Sequence, residues 1–293
     1  MQFQPFTVSE IHKRTQYKDF NGIPAANGNN TIAIVGDLQR TSLWELMLGR
    51  EQNDEERERI IAEIRKEDPS LLILLGDLVF DGGSRDQWIY LDNLMQPLKD
   101  YPMLTVLGNH EYYSNGHGNT SPFIKERFKQ FDSITWYTRR YENLGFIFLN
   151  SNEEDLPSNE WKQQLEWFNK TLAEYESDPS IKGIMVFTHH PPYTNSLLTG
   201  DEKHIQTAFI PSFMESKKTV AFFSGHAHTY ENFNKAGKHF IVSGGGGGPR
   251  VFLKKGKDRH DDACSHVGVR PFHYLLITPV EDSVELVVKG INK

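Results

Sequence analysis

Short apolar runs recur along the chain: TIAIV from position 31, LLILL from 71, MLTVL from 103, FIFLN from 146, GIMVFT from 183, TVAFFS from 219 and HFIVS from 239. Most are apolar at consecutive positions rather than alternate ones, which predicts strands buried on both faces. Between several of them the spacing changes to helical. NDEERERIIAEIRKEDP, from 53, has acids in its first turn and stops before Pro69, as a helix should. SNEWKQQLEWFNKTLAEYE, from 158, puts Trp161, Leu165, Phe168 and Leu172 on one face, with Ser158 as the expected N-cap. FHYLLITPVEDSVELVVKG, from 272, reads as two strands turning at EDS. The alternation predicts an α/β domain with helices outside buried sheets. No internal repeat or long linker is visible. The expectation is therefore one domain over 1–293, with core motifs in 31–245 and C-terminal strands in 272–289.

Polar residues crowd the ends of five of these strands. IAIVGD ends in Asp37, LLILLGD in Asp77 and MLTVLGNHE in Asn109, His110 and Glu111. IMVFTHH ends in His189 and His190, and AFFSGHAH in His226 and His228. Open α/β sheets bind ligands at the carboxyl ends of their strands. A Gly-Asp after one strand is ordinarily just a turn. Turns have no reason to collect coordinating side chains at every strand end, so the set reads as one metal site.

Two carboxylates, an amide and three imidazoles make a mixed oxygen and nitrogen set. It suits borderline metals such as Zn, Mn, Fe or Co better than an all-oxygen calcium site. One tetrahedral ion needs fewer ligands, so two ions are expected. Two dications about 3.5–4 Å apart repel by roughly 17–19 kcal/mol at an effective dielectric of about 20. A shared aspartate and a bridging hydroxide would offset that repulsion. The positive charge left over favours a phosphate as substrate. The GGGGG run at 244 is not followed by Gly-Lys-Ser/Thr, so it is not a Walker phosphate loop. It is expected to let backbone pass close to the metals.

Bulk properties narrow the class. The chain has 293 residues, 38% hydrophobic and 24% charged, enough to bury a core and keep a polar surface. A net charge of −7 makes it a poor general binder of phosphate backbones, so no nucleic-acid scaffold binding is expected. Lys254, Lys255, Lys257 and Arg259 read as a solvated loop. The one cysteine, Cys264, excludes an internal disulfide framework. No run of 18 apolar residues predicts a membrane span, and MQFQPFTVSE does not read as a signal peptide. A cytoplasmic location is the corresponding expectation.

GD at 36, GD at 76, GNHE at 108, THHPP at 188 and GHAH at 225 resemble, in order, the five motifs of the calcineurin-like metallophosphoesterases. They span about two thirds of the chain. The resemblance implies a four-layer αββα sandwich, two mixed β-sheets flanked by helices. It also implies a dimetal-dependent hydrolase of phosphate monoesters or diesters, with a metal-bridging hydroxide as nucleophile. Carried over by motif, Asp37, Asp77 and His228 would hold one metal. Asp77 would bridge to a second held by Asn109, His189 and His226. His110 would be catalytic, assisting the leaving oxygen, and His190 would take second rank after His189, toward substrate. Arg250, after the glycine run, is the other candidate for the phosphate.

Within that family, GHAHTYENF and VSGGGGGPR are similar to the purple acid phosphatases. That branch has a tyrosine ligand where this chain has Phe80, and Asp-x-Gly at its first motif where this chain has Gln39. An Asp-x-Gln motif resembles instead the manganese-dependent ADP-ribose/CDP-alcohol diphosphatases, where the glutamine contributes to the first metal. Gln39 therefore reads as a metal ligand through its amide oxygen, or as a partner of metal-bound water. The implied cofactors are two metal ions, Mn, Fe or Zn. The implied partner is a small phosphate ester, or on the second reading a nucleotide anhydride. A third reading, from another class, is a metal-bearing scaffold protein with weak turnover. The loops EYYSNGHGNTSPF and GPRVFLKKGKDRHDDACSHVGVRP are expected to shape the pocket, with His117 and His266 unassigned.

Overall fold

The computed structural model describes residues 15–20, 22, 29–116, 119–264, 266, 268–281 and 283–291; His117 and the MQFQPFTVSE stretch lie outside them. Among the described residues, eleven strands form two mixed sheets. β1 (Ile32–Val35), β2 (Leu71–Leu74) and β3 (Met103–Thr105) are parallel, and the hairpin of β10 (Phe272–Val280) and β11 (Ser283–Ile291) extends them antiparallel, in the order β11-β10-β1-β2-β3. β5 (Leu144–Phe148), β6 (Gly183–Phe187), β7 (Thr219–Ser224) and β9 (Lys238–Ser243) are parallel in the second sheet. β4 (Tyr137–Tyr141) and β8 (Tyr230–Lys235) are its antiparallel edges.

Every predicted apolar run is a strand. β1, β2, β5 and β6 are buried at each position, which is why they show no alternation. The two strands missed, YTRRY and YENFNK, are edges whose exposed positions are polar. The sheets share an apolar core: Phe146, Phe148, Phe187 and Phe223 pack in one cluster with the strands of the first sheet.

The helices are α1 (Leu43–Met47), α2 (Asp54–Glu67), α3 (Arg85–Leu94), α4 (Pro122–Arg127), α5 (Ser158–Ser177), α6 (Lys203–Ala208) and α7 (Ile210–Glu215). α2 buries Ile60, Ile61 and Ile64 against the first sheet and ends at Asp68, in the left-handed region, just before Pro69. α5 buries Phe168 and Leu172 over the second sheet, with Trp161 and Leu165 half-buried beside them. Its N-cap is Pro157 rather than Ser158, which begins the helix and makes no capping bond. Helices thus cover both outer faces, and the four-layer expectation holds. Among the described residues no helix is long and apolar enough to cross a membrane.

Candidate metal centre

Because β1, β2 and β3 run parallel, as do β6 and β7, all five motifs leave their strands at one edge of the sandwich. The chain must turn sharply there. Asp37 (φ 62°), Asp77 (φ 50°) and His226 (φ 65°) all sit in the left-handed region. Such backbone costs about 1–3 kcal/mol per non-glycine residue and persists only where its surroundings fix it. Here main-chain bonds do so: Asp37 N–H donates to Gly76 O at 3.1 Å and Gln39 N–H to Asp77 O at 3.0 Å. Glycine is required beside them. A Cβ on Gly225 would lie 2.6 Å from Asp37 Oδ2, and one on Gly108 would overlap the Asp77 carboxylate.

The predicted ligands converge. Asp77 Oδ2 lies 3.1 Å from His189 Nε2, which lies 3.2 Å from His226 Nδ1. His228 Nε2 is 3.5 Å from Asp37 Oδ1. The remaining bonds fix which atoms face inward. His189 Nδ1 donates to Leu75 O at 2.7 Å and His228 Nδ1 to Pro249 O at 2.9 Å, so each turns its Nε2 to the cluster. His226 N–H donates to both Asp37 oxygens, and His110 N–H to Asp77 Oδ1 at 3.0 Å. Burial works against a charge on His189, but the Asp77 carboxylate outweighs it and lifts this imidazole to about 9. Burial and the charge of His189 push His226 down to about 3. Side chains that compete in this way for one positive charge are suited to a cation.

Both amides fit the same reading. Its neighbours assign the Gln39 amide with the nitrogen donating to Asp77 O at 2.8 Å and Asp37 O at 3.3 Å, which can only accept. The Gln39 oxygen is thereby turned to within 3.0 Å of His228 Nε2. There it accepts from His228 Nε2, whose imidazole the Asp37 carboxylate lifts despite its burial, so a proton, or a cation in its place, lies between the two. The Asn109 amide donates to Tyr113 Oη at 2.9 Å, and its buried oxygen has no hydrogen-bond donor. A buried acceptor without a donor calls for a metal or another unseen partner.

His110 stands at the edge of the cluster. Its Nδ1 donates to Phe80 O at 2.6 Å, and its Nε2 lies 3.8 Å from Asp77 Oδ2. Phe80, which lacks a hydroxyl, therefore contributes its carbonyl by orienting this ring. His190 is held by Ser151. The Ser151 hydroxyl accepts from the N–H of His189 at 3.2 Å and of His190 at 3.0 Å, so its one proton goes to His190 Nδ1 at 2.8 Å. The neutral His190 ring then carries its own proton on Nε2. Burial and the neighbouring His226 and His189 hold it neutral, well below the ordinary histidine range.

Arg250 corrects an expectation. Its Nε and Nη2 donate to the Glu51 carboxylate at 3.0 and 2.6 Å, and its guanidinium lies 4.5 Å over the Phe272 ring. Its charge is already paired, so it braces the loop after the glycine run and is not free for a phosphate. His266 is exposed, and its main-chain oxygen accepts from Arg270. The glycine run does bring backbone close: Gly246 and Gly248 donate to Gly36 O and Asp37 O, each at 2.9 Å.

Three further residues hold the site. Glu111 accepts from the N–H groups of Asp77, Leu78 and Gly108 at 3.0, 2.8 and 2.7 Å, although burial and the Asp77 charge lift its carboxyl to about 7. Arg57, fully buried, donates to Gln39 O and Gly247 O, each at 2.9 Å. Ser151 is the third. Their positions carry no sequence signal beyond the glutamate of GNHE. A cavity of about 440 Å³ between the sheets is lined by Leu144, Gly183, Val220 and Leu286, at the opposite ends of the strands, and includes none of these groups.

Residues 30–230 match the family model described as calcineurin-like phosphoesterase. Purple acid phosphatase 23 of Arabidopsis thaliana is 24% identical over 74% of this chain and 52% of its own length. Purple acid phosphatase 4 of the same plant is 22% identical over 76% of this chain and 70% of its own. The chain spans about half the length of most such relatives. Among solved structures, the purple acid phosphatase PPD1 of yellow lupin superposes with a TM-score of 0.68 at 16% identity, over 92% of this chain and 52% of that one. A dimetal phosphatase from Danio rerio does so at 0.60 and 17%, over 89% and 96%.

Proposed function

The chain belongs to the calcineurin-like phosphoesterases, and we propose from this that it is a dimetal-dependent hydrolase of phosphate monoesters or diesters. The observation that carries the reading is the inward set of ligand atoms: the Asn109 oxygen, left without a donor, with the Gln39 oxygen, Asp77 Oδ2 and the Nε2 atoms of His189 and His228, which share among themselves protons that a metal would replace. Asp37, Gln39 and His228 would hold one metal, Asn109, His189 and His226 the other, and Asp77 both. When bound, the ions would supply Lewis acidity at the phosphoryl oxygens and a water of lowered pKa.

The protein's own groups do the rest. His110, with Nδ1 donating to Phe80 O, turns Nε2 to the leaving oxygen and would protonate it from the imidazolium form, in which both ring nitrogens carry a proton. His190, with its Nε2 proton fixed by Ser151, donates to a phosphoryl oxygen and does not ligate. Gln39 favours manganese in the first site, since a neutral amide oxygen is a harder donor than an imidazole. The same residue supports the second reading, a nucleotide diphosphatase. The test is turnover of p-nitrophenyl phosphate, its bis-ester and ADP-ribose with added Mn, Zn or Fe, with and without chelator. Metal-dependent release from either nitrophenyl ester is expected. Turnover of ADP-ribose alone would move the assignment to the diphosphatase, and none in any arm would leave the metal-bearing scaffold.

A further inference from the structure

The most exposed large apolar side chains are gathered beside the metal cluster. Leu43, Trp44, Met47 and Leu48 on and after α1, with Leu197, Leu198 and Phe252, are each 65–81% exposed. No other large apolar residue among the described ones exceeds 45%. α1 buries none of its residues, although a capping box between Ser42 and Glu45 fixes its start. The three segments are tied in succession. Arg50 donates to Pro249 O at 2.7 Å, and Leu197 N–H donates to Phe252 O at 2.9 Å. They join the cluster directly: α1 begins four residues after Gln39, and Pro249 O receives His228 Nδ1.

Packing does not explain this arrangement, because these side chains stay mostly exposed, and exposed apolar surface gathered in one place marks an interaction face. Charge selects the partner. The chain is net −7, yet Lys254, Lys255 and Lys257 follow within five residues of Phe252, the last two exposed. Tryptophan, leucine and phenylalanine bordered by lysine is the composition that settles into the headgroup region of an anionic bilayer. We propose that this face docks on an anionic lipid surface and sets the metal cluster against phosphate groups held there. The docking stands by itself; the consequence for substrate rests on the phosphohydrolase reading.

The test is cosedimentation of the full chain with vesicles of phosphatidylcholine and phosphatidylserine (7:3), against phosphatidylcholine alone. Binding to the anionic vesicles is expected, weakening from 0.1 to 0.5 M NaCl as screening shortens. Trp44→Ser with Leu48→Ser should weaken it at least tenfold. Lys254→Gln, Lys255→Gln and Lys257→Gln together should weaken it roughly a hundredfold, at about fivefold per lysine. All should keep the parent's melting temperature, and Trp44→Ser with Leu48→Ser should also keep its p-nitrophenyl phosphate turnover, because neither residue lies in the cluster or in the loops expected to shape the pocket. No binding by the parent, or equal binding by the variants, overturns the proposal. A dimer in sedimentation velocity that Trp44→Ser dissociates, with no vesicle binding, would assign the face to a second copy instead. Vesicle binding without turnover of any phosphate would retain the docking and remove only the phosphohydrolase reading.

Discussion

Replacing Glu111 tests how the site is held together. Its carboxylate accepts three buried main-chain N–H groups, two on Oε2 and one on Oε1, and so locks the turn carrying Asp77 to the turn carrying Asn109 and His110. Glutamine has nearly the same shape but only one acceptor atom. With its oxygen on the Asp77 and Gly108 side, its NH2 must face the N–H of Leu78, donor against donor. Leaving one buried donor unsatisfied costs about 1–3 kcal/mol. Alanine strands all three, about 3–6 kcal/mol after allowing for sharing, against a total stability of only about 5–15 kcal/mol. Glu111→Gln should therefore fold and melt roughly 2–10 °C lower, while Glu111→Ala should be marginal or insoluble. The glutamine variant should also retain less metal, since the N–H of His110 fixes Asp77 Oδ1 from the same turn. Differential scanning calorimetry beside elemental analysis of the purified protein reads both. A glutamine variant with the parent's melting temperature and full metal content would refute the reasoning.

Gln39→Ala should loosen one metal and leave the other mostly filled, with Gln39→His tightening that site for zinc; equal titration of both ions in the alanine variant would remove the glutamine from the ligand set. His110→Ala should keep near-normal metal content and lose at least about tenfold in rate, and loss of one metal equivalent would make it a ligand. Ser151→Ala should keep its metal, raise KM for p-nitrophenyl phosphate severalfold and change the 15N shifts of His190 as its proton redistributes; unaltered shifts would show that Ser151 does not set the tautomer. His273, pushed down to about 4 by burial, stays neutral in the fold while an unfolded chain takes up a proton near 6.5. Its contribution is present above about pH 6.5 and is lost as pH falls through 4, at most about 3 kcal/mol, so His273→Gln should flatten the fall in urea midpoint between pH 7 and 4.5.

The central strands were legible because burial on both faces leaves a continuous apolar run, and each such run is a strand. β4 and β8 were not. An edge strand needs apolar residues on one face only, and YENFNK buries just Glu231 and Phe233 of its six. Glu231 shows how far burial departs from residue type. It is fully inside, held by Thr194 Oγ1 at 2.6 Å and Asn195 N–H at 2.7 Å, and burial lifts its carboxyl to about 7. Nothing in the sequence marks those two donors, because they arrive from a loop more than thirty residues away.

The candidate ligands were legible for a related reason. Few side-chain types present a lone pair to a cation, and Asp, Asn, Gln and His are among them, so residue type reports the chemistry. Strand ends then report where these residues meet. The groups that aim them use no distinctive chemistry. Arg57 looks like an ordinary helix arginine, yet it lies fully buried and bonds Asp54 at 2.7 Å, Gln39 O and Gly247 O. Ser151 is one serine among many until its hydroxyl is seen to serve two consecutive N–H groups and one imidazole. Arg250 fails in the opposite direction: its type suits a phosphate, but Glu51 already occupies it. Residue type says what a group is able to bind, and only the fold says whether another group has bound it first. For Gln39 the answer favours the metal. Both of its amide protons are committed to main-chain oxygens, and what remains is an oxygen aimed at His228 Nε2, where a metal would take the place of the shared proton.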